Sequence, residues 1–219
     1  MRAIVVAGKN RAGIGTVETP TPGASEIRVR VKAAALNRAD LLVLAGHQHG
    51  SVGGAGAILG LECSGEVESL GQDATGFAIG DRVMCSARHA IAEYAVTDAS
   101  RATKIPAGMS FEEATTLPVA LQTMHDALMT NGRLKKGESV LVQGASSGVG
   151  LMALKIAKLM GAGLVIGTST NEARRARLRL GASRMSPVPR SADRPPLRFG
   201  ISSRQIDHRD RCRRPSHHG

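Results

Sequence analysis

The segment 139–160 constrains the fold most strongly, because it combines a short strand, a turn of small residues and a helix. Residues 139–143 (SVLVQ) form an apolar run, and residues 149–160 have apolar positions at helical spacing. A second apolar run at 164–168 and an Arg-rich helical stretch at 171–180 follow, and Gly161 and Gly181 stand at the expected helix ends. This order predicts a βαβ unit with parallel strands and a right-handed crossover.

The turn at 144–150 (GASSGVG) indicates dinucleotide binding. Small residues let backbone approach a pyrophosphate, and the N–H groups at the helix start point towards the anion. Ala145 and Ser147 stand where the usual fingerprint has its first two glycines, and Gly150 stands at the third. The alternative is a plain βα turn in which Ser146 or Ser147 caps the helix. The cofactor-binding residues predicted here are Ala145, Ser146, Ser147, Gly148, Val149 and Gly150.

The end of the second strand indicates which dinucleotide binds. An NAD site usually has an acidic residue there, but residues 167–170 read GTST and the first acid is Glu172. Arg174 and Arg175 follow, and small hydroxyls with a guanidinium suit a 2′-phosphate. We therefore predict NADPH rather than NADH, with Thr168, Ser169 and Arg174 in the site. The alternative is a solvated basic helix face, which fits Arg177 and Arg179 best.

Residues before 117 have a different pattern, with short β-like runs separated by glycine and proline. Residues 27–32 alternate apolar and basic side chains, and further runs lie at 3–6, 64–70, 81–86 and 92–96. One helix is predicted at 38–45, closed by Gly46. Ser110 and Glu113 have the form of a capping box, which predicts a short helix ended by Pro118, and a helix follows at 119–129. Such strands predict a small irregular barrel or sandwich.

The charge is unevenly distributed along the 219 residues, whose net charge is +11. Residues 1–182 hold 20 Lys and Arg against 15 Asp and Glu, whereas residues 183–219 hold 9 Arg against 3 Asp. The last segment also has five Pro and no regular periodicity, so we expect it to be disordered. A nucleic-acid binder using this tail is disfavoured, because the tail lacks interleaved aromatic residues apart from Phe199.

Other classes are excluded on simple grounds. No apolar run approaches the roughly 18 residues of a membrane span, and the N-terminus reads as a strand rather than a signal peptide. Cys63, Cys85 and Cys212 form no CxxC pair, so neither a disulfide framework nor a structural zinc site is indicated. We expect a cytoplasmic protein that spans no membrane and binds no nucleic acid.

Several segments together resemble a known family, the zinc-independent medium-chain dehydrogenase/reductases of the quinone oxidoreductase (zeta-crystallin-like) type. They occur in family order up to about residue 182: residues 34–42 (AALNRADLL), 60–67 (GLECSGEV), 80–83 (GDRV), 92–94 (AEY), 117–118 (LP) with Thr123, and the turn at 143–150 (QGASSGVG).

The resemblance implies an α/β protein with a GroES-like β-barrel domain at 1–117 and a partial Rossmann domain, with a parallel doubly wound sheet, at 118–182. It implies hydride transfer from NADPH to a quinone or an activated alkene or carbonyl. Asn37 resembles the residue beside the nicotinamide that polarises the substrate or bonds the ribose, and Thr123 resembles a hydroxyl near the nicotinamide. Gln48 stands where relatives often have a substrate-facing Tyr. The alternatives are a helix N-cap for Asn37 and a plain helix-interior threonine for Thr123.

The resemblance also implies that no metal takes part. Relatives with catalytic zinc have Cys at the position of Asn37, His at the position of Leu61 and Cys near Val119. The histidines at 47, 49, 89 and 125 show no ligand spacing. Glu62 and Asp81 lie in motif segments, and we interpret them as structural carboxylates that bond backbone and Arg82.

Relatives continue well beyond the second Rossmann strand, whereas the family features of this chain stop near residue 182. We therefore expect a truncated product or a frameshifted one, with residues 183–219 read out of frame. The homo-oligomer interface that relatives form through their later strands would then be missing, and catalysis would be weak or absent. The alternative function is a non-catalytic fragment whose GroES-like domain serves as a folded or partner-binding module.

Overall fold

The computed structural model describes residues 1–50, 52–178 and 184–187. Antiparallel strands occupy the first part of the described chain, and parallel strands with helices occupy the second part. This is the predicted mixed α/β fold, with a curled antiparallel sheet followed by a dinucleotide-type βαβ unit. The domain boundary at residue 117 stays a prediction.

The antiparallel part is a five-stranded sheet and a β-hairpin. Its strands are β1 (Arg2–Gly8), β2 (Arg11–Thr16), β3 (Glu26–Ala34), β4 (Glu62–Leu70), β5 (Arg82–Ser86), β6 (Tyr94–Asp98) and β7 (Ala102–Lys104). The sheet has the order β6-β3-β4-β5-β7, and β1 pairs with β2. Single bridges from Ala3 to Ala92 and from Val5 to Ile58 attach the hairpin to the rest.

The second part is built around three parallel strands in the order β10-β9-β8, with β8 at Ser139–Val142, β9 at Leu164–Ser169 and β10 at Arg184–Pro187. The same order of the first three strands is found in dinucleotide-binding sheets. The α-helices of the described residues are α1 (Arg38–Leu44), α2 (Phe111–Ala114), α3 (Pro118–His125), α4 (Gly148–Leu159) and α5 (Glu172–Leu178). A π-helical segment, Asp126–Asn131, continues α3.

The structure differs from the sequence predictions at several elements. Strands β2, β7 and β10 were not predicted, because β2 is glycine-rich and mostly exposed, β7 has only three residues, and β10 (RMSP) lacks a run of apolar residues. Pro118 begins α3 rather than ending α2, since proline has no N–H and suits the first position of a helix. Strand β10 lies inside the segment expected to fall outside the fold, and the parallel edge of β9 supplies its hydrogen bonds. The expectation of disorder for 188–219 concerns residues outside those described.

The antiparallel sheet has a closely packed apolar core. Ile27, Val29 and Val67 are almost completely buried, and Cys63 faces Cys85 across β4 and β5. The two sulfurs lie 3.6 Å apart as free thiols. Hydrogen bonding to Cys85, followed by burial, raises the pKa of the Cys63 thiol well above its usual value. These cysteines therefore behave as core residues rather than as nucleophiles.

The parallel sheet packs on α4. Leu154 and Ala157 of this helix are buried against Val142 of β8 and Val165 of β9. The helix ends at Leu159, and Gly161 follows with a φ of +83°, the left-handed conformation that favours glycine after a helix. The packing fixes the start of α4 beside the carboxyl ends of β8 and β9, where the turn of small residues lies.

Strand β4 passes so close to β3 that only glycine fits at position 65. A Cβ on Gly65 would lie 2.1 Å from the carbonyl oxygen of Arg30. We expect Gly65→Ala to lower the free energy of unfolding by about 1–3 kcal/mol through overpacking. Urea unfolding measures the change. Gly13→Ala is the matched control, because nothing lies within 4 Å of its Cβ position. Equal midpoints for the two variants would contradict the proposed crowding.

Candidate functional site

The turn between β8 and α4 is held by hydrogen bonds within itself and to β9. The N–H of the buried Ala145 donates to the carbonyl oxygen of Thr168 over 2.8 Å, which ties the turn to the end of β9. Ser147 is the N-cap of α4, and its Oγ accepts from the N–H of Gly150 at 3.1 Å and donates to the carbonyl oxygen of Gly144. Of the two serines considered for the cap, Ser147 takes this role.

Glycine at 150 allows α4 to begin in close contact with the turn. A Cβ on Gly150 would lie 2.5 Å from the carbonyl oxygen of Gly144 and 2.7 Å from the Cα of Ala145. A Cβ on Gly148 would meet nothing within 4 Å. Among the described residues, the N–H groups of Gly148 and of the exposed Val149 find no acceptor. The first turn of α4 therefore offers two N–H groups to an anion, with space around Gly148.

Polar residues from the turn, β9 and the start of α5 meet at the carboxyl end of β9. The Oγ of Ser169, buried at the end of β9, donates to the Oγ of Ser146 over 2.9 Å and accepts from the N–H of Asn171 at 3.1 Å. The Oδ1 of Asn171 accepts from the N–H of Arg174 at 3.0 Å. A cavity of about 280 Å³ beside them is lined by Ser146, Leu151, Arg174 and Leu178.

Asn37 is the N-cap residue of α1 and is held through both its backbone and its side chain. Its N–H donates to the Oδ2 of Asp40 over 2.7 Å, and the Oδ1 of the same carboxylate accepts from the N–H of Gly60. The Nδ2 of the Asn37 side chain donates to the Oε1 of Glu62 over 2.8 Å. Asn37 is therefore a cap residue whose side-chain amide is bound to a neighbouring strand.

Glu62, at the start of β4, joins Asn37 to α3. It is 4% exposed, and its Oε2 accepts from the N–H of Val119 in the first turn of α3 at 2.8 Å. Glu62 bonds backbone as predicted, but the prediction that Arg82 pairs with Glu62 or Asp81 is wrong. Arg82 donates to the carbonyl oxygen of Met109 and lies over the ring of Phe111, since Lys104 and the N–H of Ala78 bind the Asp81 carboxylate.

Two other predicted site residues stand apart from these hydrogen bonds. Gln48 is exposed in the loop after α1, and Thr123 is exposed on α3, one turn beyond Val119. Within the described part of the chain, neither side chain makes a hydrogen bond. Ser86 Oγ donates to the Oε1 of Gln122, so the end of β5 also contacts α3 beside Thr123.

The sequence analysis missed some residues of the polar cluster at the end of β9 and of the hydrogen bonds around Asn37. Asn171 precedes a helix and bonds the N–H three residues later, and this N-cap pattern was available in the sequence. Asp40 similarly follows Asn37 at the spacing of a capping box. Leu151 and Leu178 line the cavity beside Arg174, and no sequence signal distinguishes them from ordinary apolar helix positions.

Two absences concern the described residues alone. In these ranges no group of three His, Cys, Asp or Glu side chains is arranged to hold a metal ion. The zinc-independent chemistry stays a prediction. Over the same residues, no helix has the length and apolar character needed to cross a membrane.

Comparison with known proteins gives consistent matches. Residues 23–118 match the alcohol dehydrogenase GroES-like domain. The chain is 37% identical over 174 residues to the mouse synaptic vesicle membrane protein VAT-1 homolog-like, covering 78% of this chain and 42% of that protein. The chain thus spans less than half of the length of this relative.

Two solved structures are similar over most of the chain. A quinone oxidoreductase from Pseudomonas syringae pv. Tomato DC3000 has a TM-score of 0.73 and 30% identity, covering 84% of this chain and 57% of that one. A mycobacterial protein solved in complex with NADPH has a TM-score of 0.75 and 28% identity, covering 86% of this chain and 59% of that one.

The close approach at Gly150 gives a testable prediction. We expect Gly150→Ala to lower the free energy of unfolding by about 1–3 kcal/mol, because its Cβ would displace the turn from α4. Gly148→Ala should be neutral or stabilising by up to about 1 kcal/mol, as for a helix glycine with open space. Thermal unfolding of both variants, compared with the unchanged chain, measures this. If the two variants had the same midpoint, the turn would not depend on contact at position 150.

Proposed function

Because the chain belongs to the medium-chain dehydrogenase/reductase family of the quinone oxidoreductase type, we propose that it is an NADPH-dependent oxidoreductase. Its acceptor would be a quinone or an activated alkene or carbonyl, and hydride transfer would need no zinc. The observation that carries the proposal is the hydrogen-bonded pair of Ser146 and Ser169 at the end of β9, next to a cavity that Ser146 and Arg174 line. Cofactor and substrate would bind between the GroES-like domain at 1–117 and the Rossmann part at 118–182.

The start of α4 suits the pyrophosphate of the cofactor. The N–H groups of Gly148 and Val149 would donate to phosphate oxygens, and the helix dipole favours the negative charge. Ala145 and Gly150 keep the turn narrow, while Ser147 is already used as the helix cap. These features are those of a phosphate-binding βα turn.

The cluster at the end of β9 suits a 2′-phosphate. Ser169 and Ser146 are hydrogen-bonded to each other, and the adjacent cavity of about 280 Å³ has Arg174 in its lining. A guanidinium with neighbouring hydroxyls offers charge-assisted donors to a phosphate group, which a 2′-hydroxyl would not need. Thr168 contributes through its carbonyl oxygen, which holds the turn in place. The complex of the mycobacterial relative with NADPH supports the same choice.

The nicotinamide end would lie near Asn37 and α3. Asn37 would polarise the substrate or bond the ribose, Thr123 would lie beside the nicotinamide, and Gln48 would face the substrate. Leu36 and Leu41, close to Asn37 in the chain, are 83% and 64% exposed, which suits an apolar acceptor. Hydride transfer would proceed without zinc, because Asn37 and Leu61 stand where zinc-dependent relatives have Cys and His.

The cofactor and the residues of this chain would have separate roles. Bound NADPH supplies the hydride, while the residues of this chain bind and orient it and exclude water from the acceptor. The β8–α4 turn and the Ser146, Ser169 and Arg174 cluster would hold the phosphate groups. Asn37 would fix the reacting end. Substitution of one contact at the adenosine end should therefore alter cofactor choice without changing the chemistry.

Replacing Arg174 tests the cofactor assignment. We expect Arg174→Ala to raise the Kd for NADPH about tenfold or more and to leave that for NADH within about twofold, because only NADPH has the 2′-phosphate. Fluorescence titration of the intact chain with each cofactor measures both constants. Lys158→Ala, at the opposite end of α4 from the turn, removes an exposed cation and should leave both constants unchanged. Absence of NADPH binding by the unchanged chain would instead favour a non-catalytic partner-binding module.

A further inference from the structure

The buried carboxylate of Glu62 binds N–H donors from two different elements. Its Oε1 accepts from the side-chain Nδ2 of Asn37 at the start of α1, and its Oε2 accepts from the backbone N–H of Val119 in α3. Both distances are 2.8 Å, and Glu62 is 4% exposed. Each oxygen of the side chain therefore accepts a hydrogen bond.

Helix α3 requires an acceptor at this place. Its N-cap residue is Leu117, which has no side-chain oxygen, and Pro118 at the next position has no N–H. Val119 is therefore the first residue of α3 with an N–H to satisfy. Glu62, at the start of β4, supplies the acceptor that the N-cap residue lacks. A negative group at a helix N-terminus also interacts favourably with the helix dipole. The group at the position of Oε2 must be an acceptor, because the N–H of Val119 is itself a donor.

The remaining oxygen of Glu62 fixes the rotation of the Asn37 amide. Because a carboxylate only accepts hydrogen bonds, the amide must turn its Nδ2 towards Glu62 and its Oδ1 away from it. In the capping box of α1 the Asn37 side chain faces the N–H of Asp40, and this N–H also donates to the backbone carbonyl oxygen of Asn37 at 3.0 Å. An amide oxygen has two lone pairs. Oδ1 can therefore accept from a second donor in addition to the N–H of Asp40.

We propose that Glu62 is a positioning residue that holds the Asn37 amide with Oδ1 as an acceptor for a ribose hydroxyl of the bound dinucleotide. The inference rests on the proposed function and chooses between its two roles for Asn37. A substrate carbonyl needs a donor, whereas a ribose hydroxyl can donate to Oδ1. Glu62 acts through Asn37 and need not touch the cofactor itself.

Exchanging amide and carboxylate tests the proposal. In Glu62→Gln, the new amide oxygen must accept from Val119, so the new NH₂ group faces Asn37, and the Asn37 amide rotates to present Oδ1 to it. The outward acceptor is then replaced by a donor. In the double variant N37D/E62Q, the amide introduced at position 62 donates to the carboxylate introduced at position 37, whose second oxygen restores the acceptor. In Asn37→Asp alone, two carboxylates face each other.

The ligand-free arm measures urea unfolding of the two single variants and the double variant. We expect Asn37→Asp to be clearly destabilised and N37D/E62Q to recover most of the loss, since contacting groups are energetically coupled. Glu62→Gln should lose less stability than Asn37→Asp, because amide rotation preserves both hydrogen bonds of the side chain at position 62 and gives up only the capping contact of Oδ1 with the N–H of Asp40. Additive effects of the two substitutions would overturn the positioning role.

The ligand arm measures NADPH affinity by fluorescence titration. We expect Glu62→Gln to raise the Kd about tenfold and N37D/E62Q to return within about threefold of the unchanged chain. Glu66→Gln on the same strand is the control and should have no effect, because Glu66 pairs with Lys32 at the surface. Unchanged or tighter binding by Glu62→Gln, or no recovery in the double variant, would overturn the acceptor role of Oδ1.

The two arms separate this inference from the proposed function. An unchanged chain that binds no NADPH overturns the proposed function and the ribose assignment together. Coupling between positions 37 and 62 in the ligand-free arm would still support Glu62 as the residue that orients Asn37. NADPH binding without such coupling would leave the proposed function standing and overturn the inference.

Discussion

The hydrogen bonds of the Glu62 carboxylate connect the antiparallel sheet to the first helix of the α/β part. Glu62 begins β4, Asn37 begins α1 and Val119 lies in the first turn of α3, so one buried side chain fixes three elements relative to each other. Removing one donor would leave a buried charge partly unpaired, which is costly in a protein interior. The position of α3, and with it the position of Thr123, therefore depends on a residue of the antiparallel sheet.

The proposed cofactor end of the site depends on close backbone packing rather than on charge. The turn before α4 lies against β9 through the N–H of Ala145, and Gly150 allows the helix to start beside the turn. Arg174 brings a charge to the edge of this arrangement, where it lines the adjacent cavity.

Much of the fold could be predicted from local patterns. The alternation of β3, the capping box before α2 and the helix with its closing glycine at 161 all follow from interactions between residues close in sequence. Strands β2, β7 and β10 could not be predicted in this way. They are short or poor in apolar residues, so their own side chains carry little signal. Their hydrogen bonds come from partner strands, which are β1 for β2, β5 for β7 and β9 for β10.

For the site, the sequence by itself determined the position of the turn of small residues between β8 and α4, with Ser146 or Ser147 as the helix cap, and of the hydroxyl and arginine residues at and after the end of β9, because these features lie within one βαβ unit. Only the tertiary structure decided which of them meet. It joined Ser146 to Ser169 and gave Glu62 its two donors, Asn37 and Val119, which are distant along the chain. Spacing along the chain carries no information on such pairs, since the packing of separate elements brings them into hydrogen-bonding distance.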